Sequence, residues 1–361
     1  MIAKPRRRVT RKDVAELAGV SGTVVSDVLN RRDSVRVSDK TRKRVLEAAK
    51  QLDYHPHGVA RRLVKGKTLT ISFAIYDLDT IVFQPWSRIL LGISKAADAH
   101  QYSVDLATTN TSRSAQGHFF YRKKMNEGIT DGFLIYDSQM SDEEIGDVVA
   151  SGFPVVLLDR KLEGKTIPRV CNDYMYSVKQ VVDVIHSLGH RHWAFVTYDN
   201  MGPGFYNYTV MREAVKRLWQ EQGEDSPERV LSVPPQEAIS IVGHVKDFLE
   251  RYPDTTAFLC WTDGAAARVN SALLKLGKRV PDEISVVGMN NDLYCSYLTP
   301  ALTSVDIRRE LIGEYAAQML IQMVEGQELL VHERKVESRL VIRDSLRRAP
   351  ERIENVVACN E

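Results

Sequence analysis

The feature that most constrains the fold is a repeated alternation of short apolar runs with amphipathic stretches, from about residue 68 to residue 345. The apolar runs have the length of buried strands, and they predict strands at 69–75, 103–107, 132–136, 154–158, 193–197, 256–260 and 284–288. The amphipathic stretches predict helices, among them 88–99, 177–188, 210–219, 265–276 and 309–324. Strands that alternate with helices pair in parallel, and this many strands need two sheets. Ligands of such sheets bind beyond the carboxyl ends of the strands.

The segment that precedes this region differs from it in charge. Residues 1–67 contain 18 Lys+Arg and 7 Asp+Glu, whereas the remainder contains 31 Lys+Arg and 40 Asp+Glu. A basic segment joined to an acidic body indicates a polyanionic partner for the basic segment only. A solvated basic tail would have the same charge, so the pattern inside the segment has to decide between the two.

That pattern predicts three short helices. Thr10 and Asp13 have the spacing of a capping box, Gly19 interrupts the first helix, and Ser21 is a good N-cap for the second. Ser38 caps a third helix that runs to about residue 53. The expected apolar faces are Val14, Leu17 and Ala18, then Val24, Val25, Val28 and Leu29, then Val45, Leu46, Ala49 and Leu52.

Two short helices joined by a turn that contains glycine form a helix-turn-helix, whose second helix fits the major groove of DNA. We expect this helix and its start to contact DNA through Ser21, Gly22, Thr23, Val24, Ser26, Asp27 and Asn30. Phosphate contacts are expected from Arg6, Arg7, Arg8, Arg11, Lys12 and Arg31. The alternative is a small helical bundle that binds no nucleic acid.

Other classes of protein find no support in the sequence. Cysteines 171, 260, 295 and 359 have no CxxC spacing, no apolar run follows the charged N-terminus, and no stretch of 18 apolar residues exists. His186, His190 and His192 are close together as metal ligands would be, but histidine also suits a helix C-terminus. No nucleophile–base or phosphate-loop motif is present. We therefore expect a cytoplasmic protein without a catalytic site, cofactor, metal or membrane span.

Two long stretches carry a family resemblance. VTRKDVAELAGVSGTVVSDVLN and VSDKTRKRVLEAAKQLDYHPHGVARRL resemble the LacI/GalR family of bacterial regulators nearly continuously. The core is similar at lower identity in DGFLIY, PVVLLDR, SLGHRHWAFV, PDEISVVGMNN, LTSVDIRRELIGEYAAQML and ESRLVIRDS. The resemblance implies an α/β core of two parallel-sheet subdomains, periplasmic-binding-protein-like (type I), behind an N-terminal all-α headpiece. It implies a DNA-binding domain at 1–56, a hinge helix and linker at 57–67, an effector-binding and dimerisation core at 68–345 and a tail at 346–361.

The predicted hinge helix matches the family at HPHGVARRLV. By the resemblance, the hinge helices of two subunits pair and contact the minor groove, here through Ala60, Arg61 and Leu63. Leu63 takes the place of a leucine that wedges between base pairs in the family. The alternative role for Leu63 is ordinary helix packing.

Two departures affect the expected DNA contacts. Gly22 replaces a side chain that often reads a base, and Asp27 stands where the family usually has an arginine that reaches guanine. An aspartate cannot donate to guanine, although it can accept from cytosine N4. We therefore expect an operator that differs from the common family sequence, with Asp27 either reading a base or facing solvent.

The resemblance also places an effector site in the core, at Phe83, Trp86, Asp159, Arg160, Asn207, Thr262, Asp263 and Asn290. Asn207 replaces an arginine of the family, Thr262 an asparagine and Asn290 an acid. Loss of the arginine removes a clamp for anions, so a neutral effector such as a sugar is expected. A core without any effector remains the alternative. Aromatic residues at 198, 205, 206 and 208 either stack on a sugar or pack at a domain edge.

Together these residues imply a sequence-specific transcriptional regulator, a repressor that binds a pseudo-palindromic operator as a homodimer under the control of a small molecule. The alternative is a solute-binding or sensory protein with no specific DNA target. Whether the small molecule is an inducer or a co-repressor does not follow from the sequence.

Overall fold

The computed structural model describes residues 9–29, 37–54, 66–76, 84–108, 119–136, 140–199, 206–221, 229–234 and 241–350. The chain separates into two compact units, Met1–Thr68 and Leu69–Glu361, which are described one at a time. Most of the predicted hinge, residues 57–65, lies outside the described residues, and so does the tail from residue 351.

The first unit consists of helices α1 (Arg11–Ala18), α2 (Gly22–Leu29) and α3 (Asp39–Gln51). The capping box is present, because the Thr10 hydroxyl accepts from the Asp13 N–H at 3.4 Å and the Asp13 carboxylate accepts from the Thr10 N–H at 2.7 Å. Gly19 ends α1 in the left-handed region at φ 60°, which glycine adopts without steric cost. Ser38 caps α3 at 3.3 Å from the Thr41 N–H. The three predicted helices and their caps are confirmed.

The core of this unit is made mainly of small side chains. Its buried members are Val14, Ala15, Ala18, Val25, Val28, Val45, Ala48 and Ala49. The prediction that Leu17 and Leu46 are buried is wrong, since they are 47% and 50% exposed. Ala15 and Ala48 occupy the buried positions instead, because short helices that cross closely leave little room for larger side chains.

The first sheet of the second unit contains β1 (Thr70–Ile75), β2 (Ser103–Thr108), β3 (Phe133–Ile135), β4 (Val155–Leu158), β5 (Arg169–Asn172) and β11 (Glu333–Val336). Its order is β11-β5-β4-β3-β1-β2, and all neighbouring strands are parallel. This sheet and the helices packed on it are called the first half of the core.

The second sheet contains β6 (Trp193–Tyr198), β7 (Val230–Val233), β8 (Ala257–Cys260), β9 (Ser285–Met289), β10 (Thr303–Asp306) and β12 (Arg339–Val341). Its order is β12-β10-β9-β8-β6-β7, with β12 antiparallel to β10 and the other pairs parallel. This sheet with its helices is called the second half.

Helices cover the sheets: α4 (Gln84–Ala99), α5 (Phe119–Asn126), α6 (Asp142–Ala150), α7 (Tyr174–Ser187), α8 (Tyr206–Glu221), α9 (Val242–Arg251), α10 (Asp263–Lys275), α11 (Arg309–Val324) and a 3₁₀ helix at Leu293–Ser296. The seven predicted strands and five predicted helices of the core are confirmed, and so are the two sheets. Strands β5, β7, β10, β11 and β12 and helices α5, α6 and α9 were not predicted. Within the described ranges, no helix is long and apolar enough to cross a membrane.

Two glycines let α4 and α11 cross with their backbones in contact. A Cβ atom on Gly92 would overlap the Glu310 carbonyl, and one on Gly313 would overlap the Ile89 carbonyl. A Lys95–Glu310 ion pair lies beside the crossing. The start of α11, where Arg309 lies, is therefore fixed against α4.

The chain passes between the halves at three described places: after Asn172, between Asp306 and Arg309, and between Val336 and Arg339. The Asn172 amide ties the three together. It donates to the Ile307 carbonyl at 3.4 Å and to the Val336 carbonyl at 2.9 Å, and its oxygen accepts from the Ser177 hydroxyl at 2.5 Å. Ile307 lies in the second of these connections, and Asn172 and Val336 end the strands from which the other two begin, so one buried side chain constrains every crossing.

Candidate functional site

The start of α2 presents small polar groups on the surface of the first unit. Ser21 and Thr23 are exposed, Gly22, Val24 and Ser26 are half-buried, and the Ser21 hydroxyl accepts from the Val24 N–H at 3.4 Å. A helix N-terminus with exposed N–H groups attracts phosphate. This end of α2 is therefore suited to approach nucleic acid.

Arg11 lies across the same end of α2. A Cβ atom on Gly22 would be 3.3 Å from the Arg11 Nε, so the guanidinium rests against the glycine. The side chain of Arg11 is exposed, as a phosphate contact requires. The absence of a side chain at Gly22 is what leaves room for this arginine.

Asp27 does not fit either of its expected roles. It is only 7% exposed, so it does not face solvent and offers little surface to a base edge. Asp27 lies on α2, whose apolar side chains Val25 and Val28 pack into the three-helix core. Eight other predicted DNA-contacting residues lie outside the described residues: Arg6, Arg7, Arg8, Asn30, Arg31, Ala60, Arg61 and Leu63.

In the core, polar side chains meet at the carboxyl ends of strands from both sheets. Tyr136 follows β3, Asp159 follows β4 and Asn290 follows β9, while Arg309 begins α11. We call these residues together with Trp86 and Tyr174 the Arg309 cluster. The carboxyl ends are where an open parallel sheet binds its ligand, so the cluster lies where a ligand is expected.

Asp159 is the acceptor of the cluster. Its side chain has no exposed surface, and it accepts from the Asn172 N–H at 3.1 Å and the Tyr174 hydroxyl at 2.7 Å. The Arg309 guanidinium lies 3.7 Å from the same carboxylate. Burial raises the pKa of Asp159 although Arg309 and the hydrogen bonds oppose it, and burial also raises the pKa of Tyr174.

Arg309 reaches partners in both halves. Its Nη1 donates to the Tyr136 hydroxyl at 3.4 Å and its Nη2 donates to the Asn290 side-chain oxygen at 3.2 Å. The guanidinium also lies 5.5 Å from the ring centre of Trp86, whose ring meets Tyr136 edge-on at 4.1 Å. The Nε of Arg309 has no hydrogen-bond partner among the described residues. The guanidinium thus keeps a donor that nothing in this part of the chain uses.

The remaining predicted effector residues of the first half have other neighbours or are not described. Arg160 is 6% exposed at its side chain and forms a 2.6 Å ion pair with Asp142. Trp86 is half-buried in the cluster, whereas Phe83 lies outside the described residues. Trp86 and Asp159 are therefore brought together, and Arg160 belongs to a separate contact.

Asp263 does not line a ligand site, contrary to the sequence prediction. It has no exposed surface, and it accepts from the Asp292 N–H at 2.8 Å and the Ser304 hydroxyl at 2.5 Å. Burial raises its pKa to about 6. Asp263 is an anchor that joins α10 to the segment after β9, and its neighbour Thr262 caps α10 at 3.1 Å from the Ala265 N–H.

The aromatic residues of the second half pack against one another. Tyr198 and Tyr208 meet the ring of Trp261 edge-on at 5.8 and 5.6 Å, and Tyr208 is buried. Asn207 is half-buried at the start of α8. For Tyr208 the packing interpretation is therefore the correct one, and the side chains at 205 and 206 are not described.

The three histidines do not converge on a metal. His190 is buried between the Thr256 hydroxyl and the Arg347 carbonyl, each at 2.9 Å, and His186 accepts from the Trp193 ring at 3.1 Å. His192 faces Asp254 at 3.2 Å. Across the described part of the chain, no group of three metal-ligating side chains is present.

Sequence reasoning missed Tyr136, Tyr174 and Arg309. Each lies at the end of a strand or the beginning of a helix. The predicted strand 132–136 ends at Tyr136 and the predicted helix 309–324 begins at Arg309, so these two positions could have been recognised as candidates. Nothing local indicates that Arg309 meets Asp159, which lies 150 positions earlier in the chain and on another element.

Comparison with known proteins agrees with both units. The profile of bacterial regulatory proteins of the lacI family matches residues 10–57, and that of the periplasmic binding protein-like domain matches residues 182–346. Catabolite control protein A of Priestia megaterium is 29% identical over 312 residues, which cover 86% of this chain and 91% of the relative.

Solved structures share the fold over nearly the whole chain. The transcriptional regulator CelR–cellobiose complex is 26% identical with a TM-score of 0.66, and the match covers 94% of this chain and 100% of that one. The Lac repressor dimer bound to operator and the anti-inducer ONPF is 24% identical with a TM-score of 0.79, over 94% and 99% of the two chains. At 24% identity, the second likeness shows the fold alone.

Proposed function

We propose that this chain, which belongs to the lacI family of bacterial regulatory proteins, represses transcription as a cytoplasmic homodimer on a pseudo-palindromic operator. The observation that carries the proposal is the surface at the start of α2. Exposed Ser21 and Thr23 lie beside Arg11, which rests against Gly22. This arrangement joins a phosphate contact to a helix end that can enter the major groove.

The sequence-reading surface that we propose is smaller than the one expected from sequence. Asp27 is removed from it by burial. Ser21 and Thr23 remain as hydrogen-bonding groups, and Thr23 can also contact a thymine methyl. Asn30, Ala60, Arg61 and Leu63 remain proposed DNA contacts on the resemblance alone.

We also propose that the core binds a small neutral molecule at the Arg309 cluster. The charges of Asp159 and Arg309 compensate each other. A ligand with a net negative or positive charge would therefore find no unpaired opposite charge in the cluster. The unused Nε of Arg309 can donate to a hydroxyl or carbonyl oxygen. The CelR relative was solved with cellobiose, and a carbohydrate is the class we propose here.

The test of this function is selection of bound sequences from random duplex DNA, with the full chain at near-physiological salt. Enrichment of one palindrome supports the proposal, and its half-site identifies the bases read by α2. A lack of enrichment, both alone and with a pool of neutral sugars, contradicts it and favours a solute-binding protein without a DNA target. Sugar phosphates added to the selected complex should have less effect than cellobiose and other neutral sugars.

A further inference from the structure

Arg309 makes contacts that a bound ligand would be expected to make between the two halves of the core. On the first half it meets Asp159, Tyr136 and the ring of Trp86, and on the second half it donates to Asn290. Its side chain is only 6% exposed. A single cation therefore satisfies acceptors on both sides of the place where the strand ends face each other.

Arg309 is held in place by the first half. It begins α11, and the crossing at Gly92 and Gly313 brings the backbone of α11 against α4. Helix α4 also carries Trp86, over which the guanidinium lies. Helices in direct backbone contact slide little against each other, so the position of the guanidinium follows the first half as a rigid group.

Asn290 is held equally firmly by the second half. Its N–H donates to the Val305 carbonyl at 2.9 Å, which ties the end of β9 to β10. Its φ of 116° lies in a region that favours glycine, and such a backbone persists only where its surroundings fix it. The contact between Arg309 and Asn290 thus joins two groups whose positions are already fixed by their own halves. Little conformational entropy is therefore lost when the contact forms.

Charge complements this contact. Arg309 and Arg88 both lie close enough to Asp292 to oppose the rise that burial causes in its pKa. Arg88 is on α4 in the first half, and Asp292 follows β9 in the second half. Cations on one half therefore face an acid on the other, which attracts the halves towards each other.

We propose that Arg309 is a built-in clasp, which holds the two halves of the core together in the ligand-free protein through its bond to Asn290. The clasp rests on the proposed function, because it occupies the site assigned there to the small molecule. A ligand that enters between the halves has to supply Arg309 with an acceptor oxygen in place of Asn290. The clasp thereby determines both the resting arrangement of the core and one group that the ligand must carry.

The test uses the fluorescence of Trp86 in the ligand-free full chain. Of the four tryptophans, Trp193, Trp219 and Trp261 are buried, whereas Trp86 is half-buried beneath the guanidinium. Acrylamide quenching therefore reports mainly on the opening of the cluster. The same variants in a Trp86→Phe background show how much of any change comes from Trp86.

Asn290→Gly breaks the clasp selectively, because glycine adopts the positive φ of this position without strain. Asn291→Gly is the matched control. Asn291 also has a positive φ, of 53°, but its side chain accepts from Arg343 within the second half. Loss of a hydrogen bond to a charged group shifts an equilibrium by at least about tenfold. We expect Asn290→Gly to increase quenching of Trp86, and Asn291→Gly to leave it as in the wild type.

A second variant has the opposite expected sign. Asn290→Asp puts a carboxylate against the guanidinium, so it should tighten the clasp and reduce quenching. Equal quenching in the Asn290→Gly and Asn291→Gly variants would overturn the proposal. It would also be overturned if Asn290→Gly increased quenching by the same amount in the Trp86→Phe background, where Trp86 cannot contribute. Should Asn290→Gly fail to fold, Asn290→Asp alone decides. Quenching above that of the wild type would overturn the proposal, and quenching below it would support the proposal. None of these readings involves DNA, so they stand whether or not an operator is found.

Discussion

A buried guanidinium and a buried carboxylate face each other in the core, and the surrounding residues decide what they can bind. Arg309 and Asp159 lie 3.7 Å apart, and Tyr174 and the Asn172 N–H complete the hydrogen bonding of the carboxylate. Opposite charges removed from water persist only with such additional partners. The residues therefore favour a ligand that exchanges hydrogen bonds with the pair and leaves the balance of charge unchanged.

The buried carboxylate of Asp263 predicts a pH dependence of stability. Burial raises the pKa of this carboxyl from its usual 3.8 to about 6 in the folded chain, so the folded state binds the proton more tightly. Its stabilising contribution is present below about pH 4 and is lost as the pH rises to about 6. The unfolding free energy of the wild type relative to Asp263→Asn should fall by about 2 kcal/mol between pH 4 and pH 7. Denaturant titrations at both pH values measure this, and an unchanged difference would contradict it.

Arg11 predicts a change in the salt dependence of DNA binding. Its exposed guanidinium rests beside Gly22, where a phosphate would lie. Arg11→Gln should lower affinity for every duplex by a similar factor and reduce the slope of log affinity against log salt by about 1. Lys275→Gln removes one exposed charge from the second unit and is the control. If the two variants have the same slope as the wild type, Arg11 is not a phosphate contact.

At the scale of elements, the crossing of α4 and α11 carries a second stability prediction. Gly313→Ala places a methyl group in contact with the Ile89 carbonyl, so the helices must separate. We expect unfolding of the second unit to become easier by at least about 2 kcal/mol. Gly243→Ala is the matched control on α9, where an added Cβ meets nothing within 4 Å and should stabilise the helix by about 0.5–1 kcal/mol. Calorimetry measures the change in unfolding free energy for each variant. Equal changes in Gly313→Ala and Gly243→Ala would rule out the close crossing of the helices.

The elements that sequence predicts and those that it misses differ in where their partners lie. Strands such as β3 and β8 are continuous apolar runs buried along their length, so they are visible locally. The charged strand β11 (ERKV) pairs with β5, more than 160 residues earlier, and β12 has three residues on an edge. The same holds for the site: Trp86 and Asp159 follow from the resemblance, whereas the roles of Arg309 and Asn172 depend on contacts between distant segments. The low exposure of Asp27, 7%, likewise does not follow from its local sequence.

At the scale of the whole molecule, charge separates the two activities that we assign. The first 67 residues contain 18 basic and 7 acidic residues, while the rest of the chain has an excess of acids. Affinity for any DNA therefore comes from the first unit and depends on salt. The acidic excess of the second unit opposes additional, unspecific contacts with the phosphate backbone. Preference for one sequence then has to come from the groups at the start of α2.

Sequence-specific repression by this chain is tested by the ratio of two affinities of the full chain at near-physiological salt. One is for the selected palindrome, and the other is for a duplex of the same length and composition with its half-sites scrambled. We expect the palindrome to be bound at least about 10³-fold more tightly. Equal affinities with the same salt dependence, in the presence and absence of neutral sugars, would contradict a sequence-specific repressor.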